Sequence, residues 1–393
     1  MDKLKDRCAK CFHQTTEETC PHCGWKAGSP TRPPYIPIGT RLNDCYLIGR
    51  VLGHGGFGIT YLAWDTNLDM AIAIKEYFPR EYATRVGEDL TLLLYLGQKR
   101  FLFEHGLRNF QEEARILAKF KHHPVIVEVY NFFQAHGTSY LVMEYISGIN
   151  LKTFLKHKGV LSYRTTAKLL TPIMTALQEI HGIGLLHRDV SPHNIYITQQ
   201  KKVKLLDFGA ARFFNEKHGE ELSIIIKPGY APLEQYQAHG NQGPWTDIYG
   251  LAATFYHCIT GEPPPDAEQR SQGAIIEPLI ARGIKITPQV EHAILKGLAL
   301  ESTNRFQDIE SFKAAFTGTE TEAEPEPEPS STTRPIQYSS QLTTQLLENT
   351  QNLANFFQKH PPISIKMRLQ AYETPALNAH LEIIANWIKK YKG

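Results

Sequence analysis

The feature that most constrains this chain is the stretch His187–Asn194, which reads HRDVSPHN. It follows an apolar, helix-like run over residues 169–186 and precedes a strand-like run, so the sequence predicts a loop held between regular elements. Asp189 and Asn194 stand five positions apart, and Asp207 opens a DFG triplet thirteen positions later. In-line phosphoryl transfer needs a base that faces a hydroxyl group and oxygen ligands for Mg²⁺. The two motifs at this spacing therefore predict a phosphoryl-transfer site.

Composition narrows the class of protein. The chain has 393 residues, 42% of them hydrophobic and 21% charged, as in ordinary soluble proteins, and is long enough for about two to three domains. A net charge of +2 gives no reason to expect a nucleic-acid partner. No apolar run reaches the roughly 18 residues of a membrane span, and the first six residues do not form a signal peptide, so we expect no transmembrane segment. Six cysteines, four of them within the first 23 residues, do not resemble a secreted disulfide framework, and we expect a reducing, cytoplasmic location.

Four of the cysteines form two C-x₂-C pairs near the start of the chain. They are Cys8, Cys11, Cys20 and Cys23. Each pair can place two thiolates on one metal ion, and two pairs complete a closed, tetrahedral Zn²⁺ site of the structural type. A redox-active dithiol and a segment without structure are the alternatives, and two matched pairs favour zinc. Segment 1–27 resembles the small zinc ribbons that open many bacterial multidomain proteins, and the proline-rich stretch after it predicts a stiff, extended linker over 28–44.

A glycine-rich run separates two strand-like segments, 46–52 and 59–64. Glycines let a backbone approach phosphate oxygens closely. The pattern G-x-G-x-x-G also occurs in ordinary hairpins and in dinucleotide-binding folds, where it opens a helix. Here it leads into a β-branched and aromatic run, which favours a flap over the phosphates of ATP. The residues of this region that we expect to contact the nucleotide are Leu52, Gly53, Gly55, Gly56, Phe57, Gly58, Thr60 and Ala73.

The strand-like segment 70–75 ends on Lys75, which can reach the α- and β-phosphates of a nucleotide. A solvated lysine at the edge of a sheet is the alternative. A helical pattern over 109–120 places Glu113 near the apolar face of that helix. We therefore expect Glu113 to pair with Lys75, with Glu112 as the alternative if the register differs.

Two further strand-like segments, 125–133 and 139–145, lead into a predicted hinge. There we expect backbone groups of Glu144 and Ile146 to bind adenine, with Met143 behind it.

The chain from the hinge to residue 316 is largely helical in pattern. Amphipathic runs occupy 150–157, 163–181, 247–260, 288–298 and 309–316. Within this part we expect a buried ion pair between Glu234 and Arg305, two separate surface charges being the alternative.

Taken together and in this order, the motifs over residues 46–316 resemble those of bacterial Hanks-type serine/threonine protein kinases. The resemblance implies an α+β, bilobal protein kinase fold, with a β-rich N-lobe and a helical C-lobe in a domain that spans 45–316. It also implies ATP and Mg²⁺ as cofactors and proteins as substrates. Residues 80–107 form a longer connection than a minimal kinase domain needs, and the sequence assigns it no role.

The resemblance also implies a role for each matching residue. Lys75, held by Glu113, would orient the α- and β-phosphates of ATP. Asp189 would accept the proton of the substrate hydroxyl, and Asn194 and Asp207 would hold Mg²⁺.

Three features depart from the family pattern. Ser191 stands where the catalytic loop usually carries lysine, and Lys227 stands where threonine is usual, counted back seven positions from Glu234. The segment 231–234, which reads APLE, is one residue longer than the usual A-P-E. We hypothesise a swap in which Lys227 supplies the cation and Ser191 the hydroxyl, because the charge of the transition state needs a cation nearby.

One hydroxyl group is a candidate for regulation. Ser223 is the only serine or threonine between Asp207 and Lys227. We predict that it is the autophosphorylation site and that it pairs with Arg188, a solvated loop serine being the alternative.

The chain beyond residue 316 has a different composition. Residues 317–336 are rich in glutamate and proline, which predicts a disordered acidic linker. Apolar residues at helical spacing over 337–393 predict a small helical C-terminal region. Its partners, like those of the zinc ribbon, are unknown.

The sequence favours an ATP-dependent protein kinase over two other classes. A nucleotide-binding pseudokinase scaffold that works through its terminal regions stays open, because the lysine usual at position 191 is missing. A small-molecule kinase is disfavoured, because residues 207–234 look like an activation segment, which suits peptide substrates.

Overall fold

The computed structural model describes residues 6–56, 58–86, 89–208, 212–213, 226–237 and 240–317. Phe57, Ser223 and the predicted C-terminal region 337–393 lie outside the described residues, as does the predicted linker 317–336 apart from Thr317. The chain divides into two units, Met1–Thr321 and Glu322–Gly393, and the described residues belong to the first.

Antiparallel strands build the N-terminal part of the domain, the N-lobe. In chain order they are β1 (Arg41–Leu42), β2 (Tyr46–His54), β3 (Gly58–Asp65), β4 (Met70–Tyr77), β5 (Ala83–Thr84), β6 (Leu93–Leu94), β7 (Val129–Ala135) and β8 (Thr138–Glu144). Six of them form one sheet in the order β1-β2-β3-β4-β8-β7, and β5 pairs with β6 alone. The predicted strand 125–133 begins later than expected, at Val129, because residues 125–127 hydrogen-bond to Leu205 in the C-terminal part of the domain instead of to this sheet.

A buried group of charged and phenolic side chains joins the long connection 80–107 to this sheet. Arg85 forms an ion pair with Glu76, the residue that follows Lys75 on β4, and both side chains are buried. The hydroxyl groups of Tyr61 and Tyr140 each donate to the Glu76 carboxylate at 3.0 Å. Burial raises the pKa of Glu76, and Arg85 opposes that rise. The connection therefore has a structural role that the sequence did not reveal.

Part of the predicted linker 28–44 also packs on the sheet. Ile36 and Leu42 are both 1% exposed, and the backbone nitrogen of Ile36 donates to the Tyr61 hydroxyl at 3.2 Å. Arg85 donates to the backbone oxygen of Pro34 at 2.7 Å. The second half of this stretch thus belongs to the core of the N-lobe.

The helix α1 (Gln98–Ala118) begins eleven residues before the helical pattern predicted over 109–120. Gly106 lies inside it, and glycine normally weakens a helix. Here a Cβ at position 106 would lie 2.1 Å from the Tyr77 hydroxyl, so the helix can pack on β4 only with glycine at that position. This contact comes from the tertiary structure, and the local pattern could not reveal it.

Helices dominate the C-terminal part of the domain, the C-lobe. They are α2 (Leu151–Lys158), α3 (Tyr163–Gly182), α4 (Pro244–Thr260), α5 (Ala267–Ser271), α6 (Pro288–Gly297) and α7 (Ile309–Thr317). Short strands β9 (Gly148–Asn150), β10 (Leu185–Leu186), β11 (Ile195–Thr198), β12 (Val203–Leu205) and β13 (Arg212–Phe213) accompany them. The side chains of Asn150, Ser162 and Thr287 cap α2, α3 and α6 by accepting a hydrogen bond from a backbone nitrogen of the first turn. Within the described ranges, no helix combines the length and the apolar character that crossing a membrane would require.

The predicted ion pair between Glu234 and Arg305 is confirmed. The two guanidinium nitrogens of Arg305 lie 2.6 and 3.0 Å from the two carboxylate oxygens of Glu234, and both residues are buried. Arg305 also donates to the backbone oxygens of Ala299 and Leu300, and Thr246 donates to Glu234. The pair joins the segment before α4 to the segment before α7.

Candidate active site

The loop between β10 and β11 carries the candidate catalytic residues, and a buried carboxylate fixes its backbone. Asp247, in the first turn of α4, accepts hydrogen bonds from the backbone nitrogens of His187 (2.8 Å) and Arg188 (2.6 Å). Although burial opposes ionisation, the hydrogen bond with His181 lowers the pKa of this carboxyl group. His187 is also buried, and its Nε2 lies 3.2 Å from the backbone oxygen of Leu206. The loop is therefore held both to α4 and to the residue that follows β12.

Asp189 lies at the centre of a polar cluster with Lys227, Ser191 and Asn194. The Lys227 ammonium lies 2.7 Å from one carboxylate oxygen of Asp189 and 2.9 Å from the hydroxyl oxygen of Ser191. The side-chain nitrogen of Asn194 donates to Asp189 at 2.7 Å, which leaves the amide oxygen of Asn194 as the atom suited to a metal ion. Burial raises the pKa of Asp189, and the charge of Lys227 opposes that rise. The two positions that depart from the family pattern are thus in direct contact.

Lys75 joins the two lobes through two carboxylates. Its ammonium lies 2.9 and 3.2 Å from the oxygens of Glu113 and 2.9 Å from Asp207, 132 positions away in the chain. Burial opposes the charge of Lys75, but Asp207 and Glu113 together raise its pKa. Glu113 is 4% exposed, whereas the Glu112 side chain is 46% exposed and pairs with Arg115. The contact predicted for Glu113 is therefore present, and the alternative register is not.

Lys75 and Asp207 line a cleft of about 340 Å³. Among the residues predicted to contact a nucleotide, those that line the cleft are Leu52, Gly53, Thr60, Ala73, Lys75, Glu113, Met143, Glu144 and Ile146. Gly55, Gly56 and Gly58 do not line it, and Phe57 lies outside the described residues. Gly58 is needed for another reason: a Cβ there would lie 2.3 Å from the backbone oxygen of Glu76, so β3 could not pair with β4.

The hinge offers a backbone acceptor to a bound base at Glu144. The backbone nitrogen of Glu144 already donates to the backbone oxygen of Glu128 at 2.9 Å, so the carbonyl of Glu144 is its group suited to adenine. Sequence reasoning missed several apolar walls of the cleft, among them Val127, Tyr196 and Leu206. The position of Leu206 directly before the DFG triplet could have indicated it. Nothing local in the sequence marks the other two.

Arg188, predicted to contact a phosphorylated loop, has a fixed backbone. Arg188 adopts a left-handed backbone conformation (φ 66°), and its backbone carbonyl accepts a hydrogen bond from the Gln235 side chain at 2.7 Å. Its predicted partner Ser223 lies outside the described residues.

The four N-terminal cysteines converge. The sulfur atoms of Cys8, Cys11, Cys20 and Cys23 all lie within 4.8 Å of one another, which suits a single ion held by four thiolates. Although burial opposes ionisation, backbone N–H groups of Cys23 and His22 help to lower the pKa of Cys20 to about 7. The donor set and its spacing therefore fit a structural zinc ion.

Comparison with known proteins agrees with this geometry. The family model for the protein kinase domain matches residues 46–298. The chain is 28% identical to serine/threonine-protein kinase PrkC of Bacillus subtilis and 29% identical to serine/threonine-protein kinase PknB of Mycolicibacterium smegmatis, over 70% of this chain in each case. It spans only 41% and 42% of the length of those two relatives.

A solved structure described as the apo form of PpkA-294 is similar to most of the chain. The TM-score is 0.61 at 35% identity, and the match covers 70% of this chain and 97% of the other. The N-lobe sheet and the helical C-lobe are consistent with that match. This chain belongs to the protein kinase family.

Proposed function

We propose that the chain is an ATP- and Mg²⁺-dependent kinase that transfers the γ-phosphate of ATP to serine or threonine hydroxyls of proteins. The observation that carries the proposal is the contact of Lys75 with both Glu113 and Asp207 at 2.9 Å, three residues that line one cleft. Assembly of a lysine–glutamate ion pair with the DFG aspartate is what catalysis by protein kinases requires. The names of the bacterial relatives support serine and threonine as acceptors.

Each polar residue of the site has one role in this reaction. Lys75 would orient the α- and β-phosphates, and Asn194 and Asp207 would supply oxygen ligands to Mg²⁺. Mg²⁺ would neutralise charge on the phosphates when bound. Asp189 would accept the proton of the attacking hydroxyl, since its carboxylate contacts Lys227 and also Asn194, which lines the cleft.

The direct test is transfer of label from γ-radiolabelled ATP. Purified protein with Mg²⁺ should label itself or an added peptide, and phosphoamino-acid analysis should yield phosphoserine or phosphothreonine. The Asp189→Asn variant is the control for contaminating kinases. Nucleotide binding without transfer would instead support the pseudokinase scaffold, and transfer only to a small molecule would contradict a protein substrate.

We further propose that Lys227 replaces the lysine missing at position 191. Lys227→Ala should lower kcat by roughly 10²-fold, because it removes a cation from the charge that develops in the transition state. Since Lys227 holds the pKa of Asp189 down, the acidic limb of the kcat/KM profile should also move to higher pH in this variant. Steady-state assays across pH measure both effects.

A second variant separates the swap from general damage. Adding Ser191→Lys to Lys227→Ala should restore part of the lost rate, because it returns the ammonium group to the position usual in the family. Unchanged turnover in Lys227→Ala would exclude the swap.

We propose that the four cysteines hold one structural Zn²⁺ ion and that the thiols remain reduced in a cytoplasmic setting. Metal analysis of the purified protein should give one zinc per chain, and Cys20→Ser should lower the zinc content sharply. Cys45→Ser is the matched control, because Cys45 is a free cysteine outside the cluster. Equal zinc content in both variants would contradict the site.

A further inference from the structure

The segment with the cysteine cluster is docked on the outer face of the N-lobe sheet. Its first turn, Cys8–Phe12, is called here the first knuckle. The ring of Phe12 is 4% exposed and lies 5.6 Å from the ring of Trp64 on β3. Arg7 places its guanidinium 4.3 Å from the centre of the Trp64 ring and donates to the backbone oxygen of Phe12 at 3.0 Å. The knuckle is thus built into the sheet.

The knuckle also completes the hydrogen bonding of β2. The pairing of β2 with β3 is irregular between Ile48 and Val51. Within that interval the backbone nitrogen of Arg50 donates to the backbone oxygen of Lys10 at 2.9 Å. An unpaired backbone group on a covered face would be unfavourable, so the knuckle stabilises this part of the strand.

Gly49 allows this close approach. A Cβ at position 49 would lie 2.8 Å from the backbone oxygen of Lys10 and 2.8 Å from the Phe12 ring. Any larger residue would push the knuckle away from β2. The glycine is therefore matched to the docked segment.

Phe12 adopts a backbone conformation that is unfavourable for a phenylalanine. Its φ is 59°, close to the 65° of Gly24, which holds the corresponding position after Cys20 in the second pair. Glycine adopts this conformation freely, whereas a bulky residue is strained by it. A strained side chain at such a position points to a role for the ring, and its contact with Trp64 supplies one.

The docked residues are continuous with the nucleotide cleft. Phe12, Leu62 and Trp64 form a small buried cluster, and Leu52 and Tyr145 pack against it. Leu52 and Tyr145 also line the cleft, as does Arg50. Leu52 precedes the glycine-rich run and Tyr145 lies in the hinge, so the knuckle lies behind two walls of the site.

We propose that the first knuckle is a positioning element of the nucleotide site, which raises the affinity for ATP when zinc holds it folded. It acts through Arg50, Leu52 and Tyr145 and does not touch the nucleotide itself. The inference rests on the proposed function, since it assumes that ATP and zinc are bound. Phe12 is the residue that carries the effect.

The test is calorimetric measurement of the Kd for a non-hydrolysable ATP analogue with the full chain. Phe12→Ala should raise this Kd about fivefold to tenfold, with zinc still bound and kcat at saturating ATP within twofold of the wild type. Trp25→Ala is the matched control, because Trp25 is an aromatic residue that follows the second cysteine pair and lies outside the buried cluster of Phe12, Leu62 and Trp64. That variant should bind the analogue as the wild type does.

Removal of zinc with a chelator, from the wild type and from Phe12→Ala, completes a double-perturbation cycle. Removing zinc from the wild type should raise the Kd to the value of Phe12→Ala, and removing it from Phe12→Ala should change the Kd little, because both changes release the same contact. If Phe12→Ala loses zinc, Gly49→Ala tests the same docking with every residue of the knuckle intact, and it should raise the Kd similarly.

The outcomes separate this inference from the proposed function. A Phe12→Ala or Gly49→Ala variant that binds zinc and also binds the analogue with the wild-type Kd would overturn the positioning role and leave the kinase proposal standing. A wild-type protein that binds no analogue at all would overturn the proposed function itself.

Discussion

Replacing Asp189 with asparagine should lower kcat by about 10²- to 10⁴-fold, the range typical for loss of a general base. An amide cannot accept the proton of the substrate hydroxyl, although it keeps the size of the carboxylate and can still contact Asn194. The Kd for nucleotide should change less than about twofold, because Asp189 is not among the residues that line the cleft. Rapid-quench assays and calorimetry measure the two quantities separately.

A distant carboxylate provides the control for this prediction. Asp308→Asn alters a residue that caps the start of α7 through Ser311, and it should leave kcat unchanged. Retention of more than about a tenth of the wild-type kcat in Asp189→Asn would argue against a base at this position.

Replacing Arg305 with alanine should reduce the free energy of unfolding by about 3–5 kcal/mol, because it leaves the Glu234 carboxylate buried without its cation. Arg305 also satisfies the backbone oxygens of Ala299, Leu300 and Trp245, and those groups would lose their donor. Urea denaturation followed by tryptophan fluorescence measures the change, since Trp245 lies at the site.

An exposed ion pair is the matched comparison for Arg305. Arg100 contacts Glu104 one turn later on α1 at 2.9 Å, their side chains are 63% and 46% exposed, and Arg100→Ala should cost less than about 1 kcal/mol. Equal losses in the free energy of unfolding for the two arginine variants would show that burial does not decide how much the Glu234–Arg305 pair stabilises the protein.

Motif spacing and periodicity identified the polar residues that meet in the site, because those residues belong to short local patterns. The helical period placed Glu113 near the apolar face of α1 and left Glu112 as the alternative, and Glu113 is the residue that contacts Lys75. The two departures at Ser191 and Lys227 were paired through the family pattern, and their side chains are in contact.

The features that escaped sequence reasoning depend on contacts between distant segments. Glycine normally weakens a helix, and the close packing of Gly106 against the Tyr77 hydroxyl accounts for a glycine inside α1. A Cβ at Gly49 would lie 2.8 Å from the backbone oxygen of Lys10, a contact with a segment almost 40 positions away in the chain. No local pattern reports what lies opposite a glycine, so neither the early start of α1 nor the docked knuckle could be predicted.

The ion pair of Glu76 with Arg85 has a consequence for the neighbouring Lys75. Successive side chains of a strand point to opposite faces, so β4 is anchored on one side by Lys75 to Glu113 and Asp207 and on the other by Glu76 to Arg85. If β4 shifted by one residue, Lys75 would face Arg85 and Glu76 would face Glu113 and Asp207, so like charges would meet. Alternative alignments of β4 during folding are therefore disfavoured. By supplying Arg85, the connection 80–107 fixes the register of β4 and so the face on which Lys75 lies.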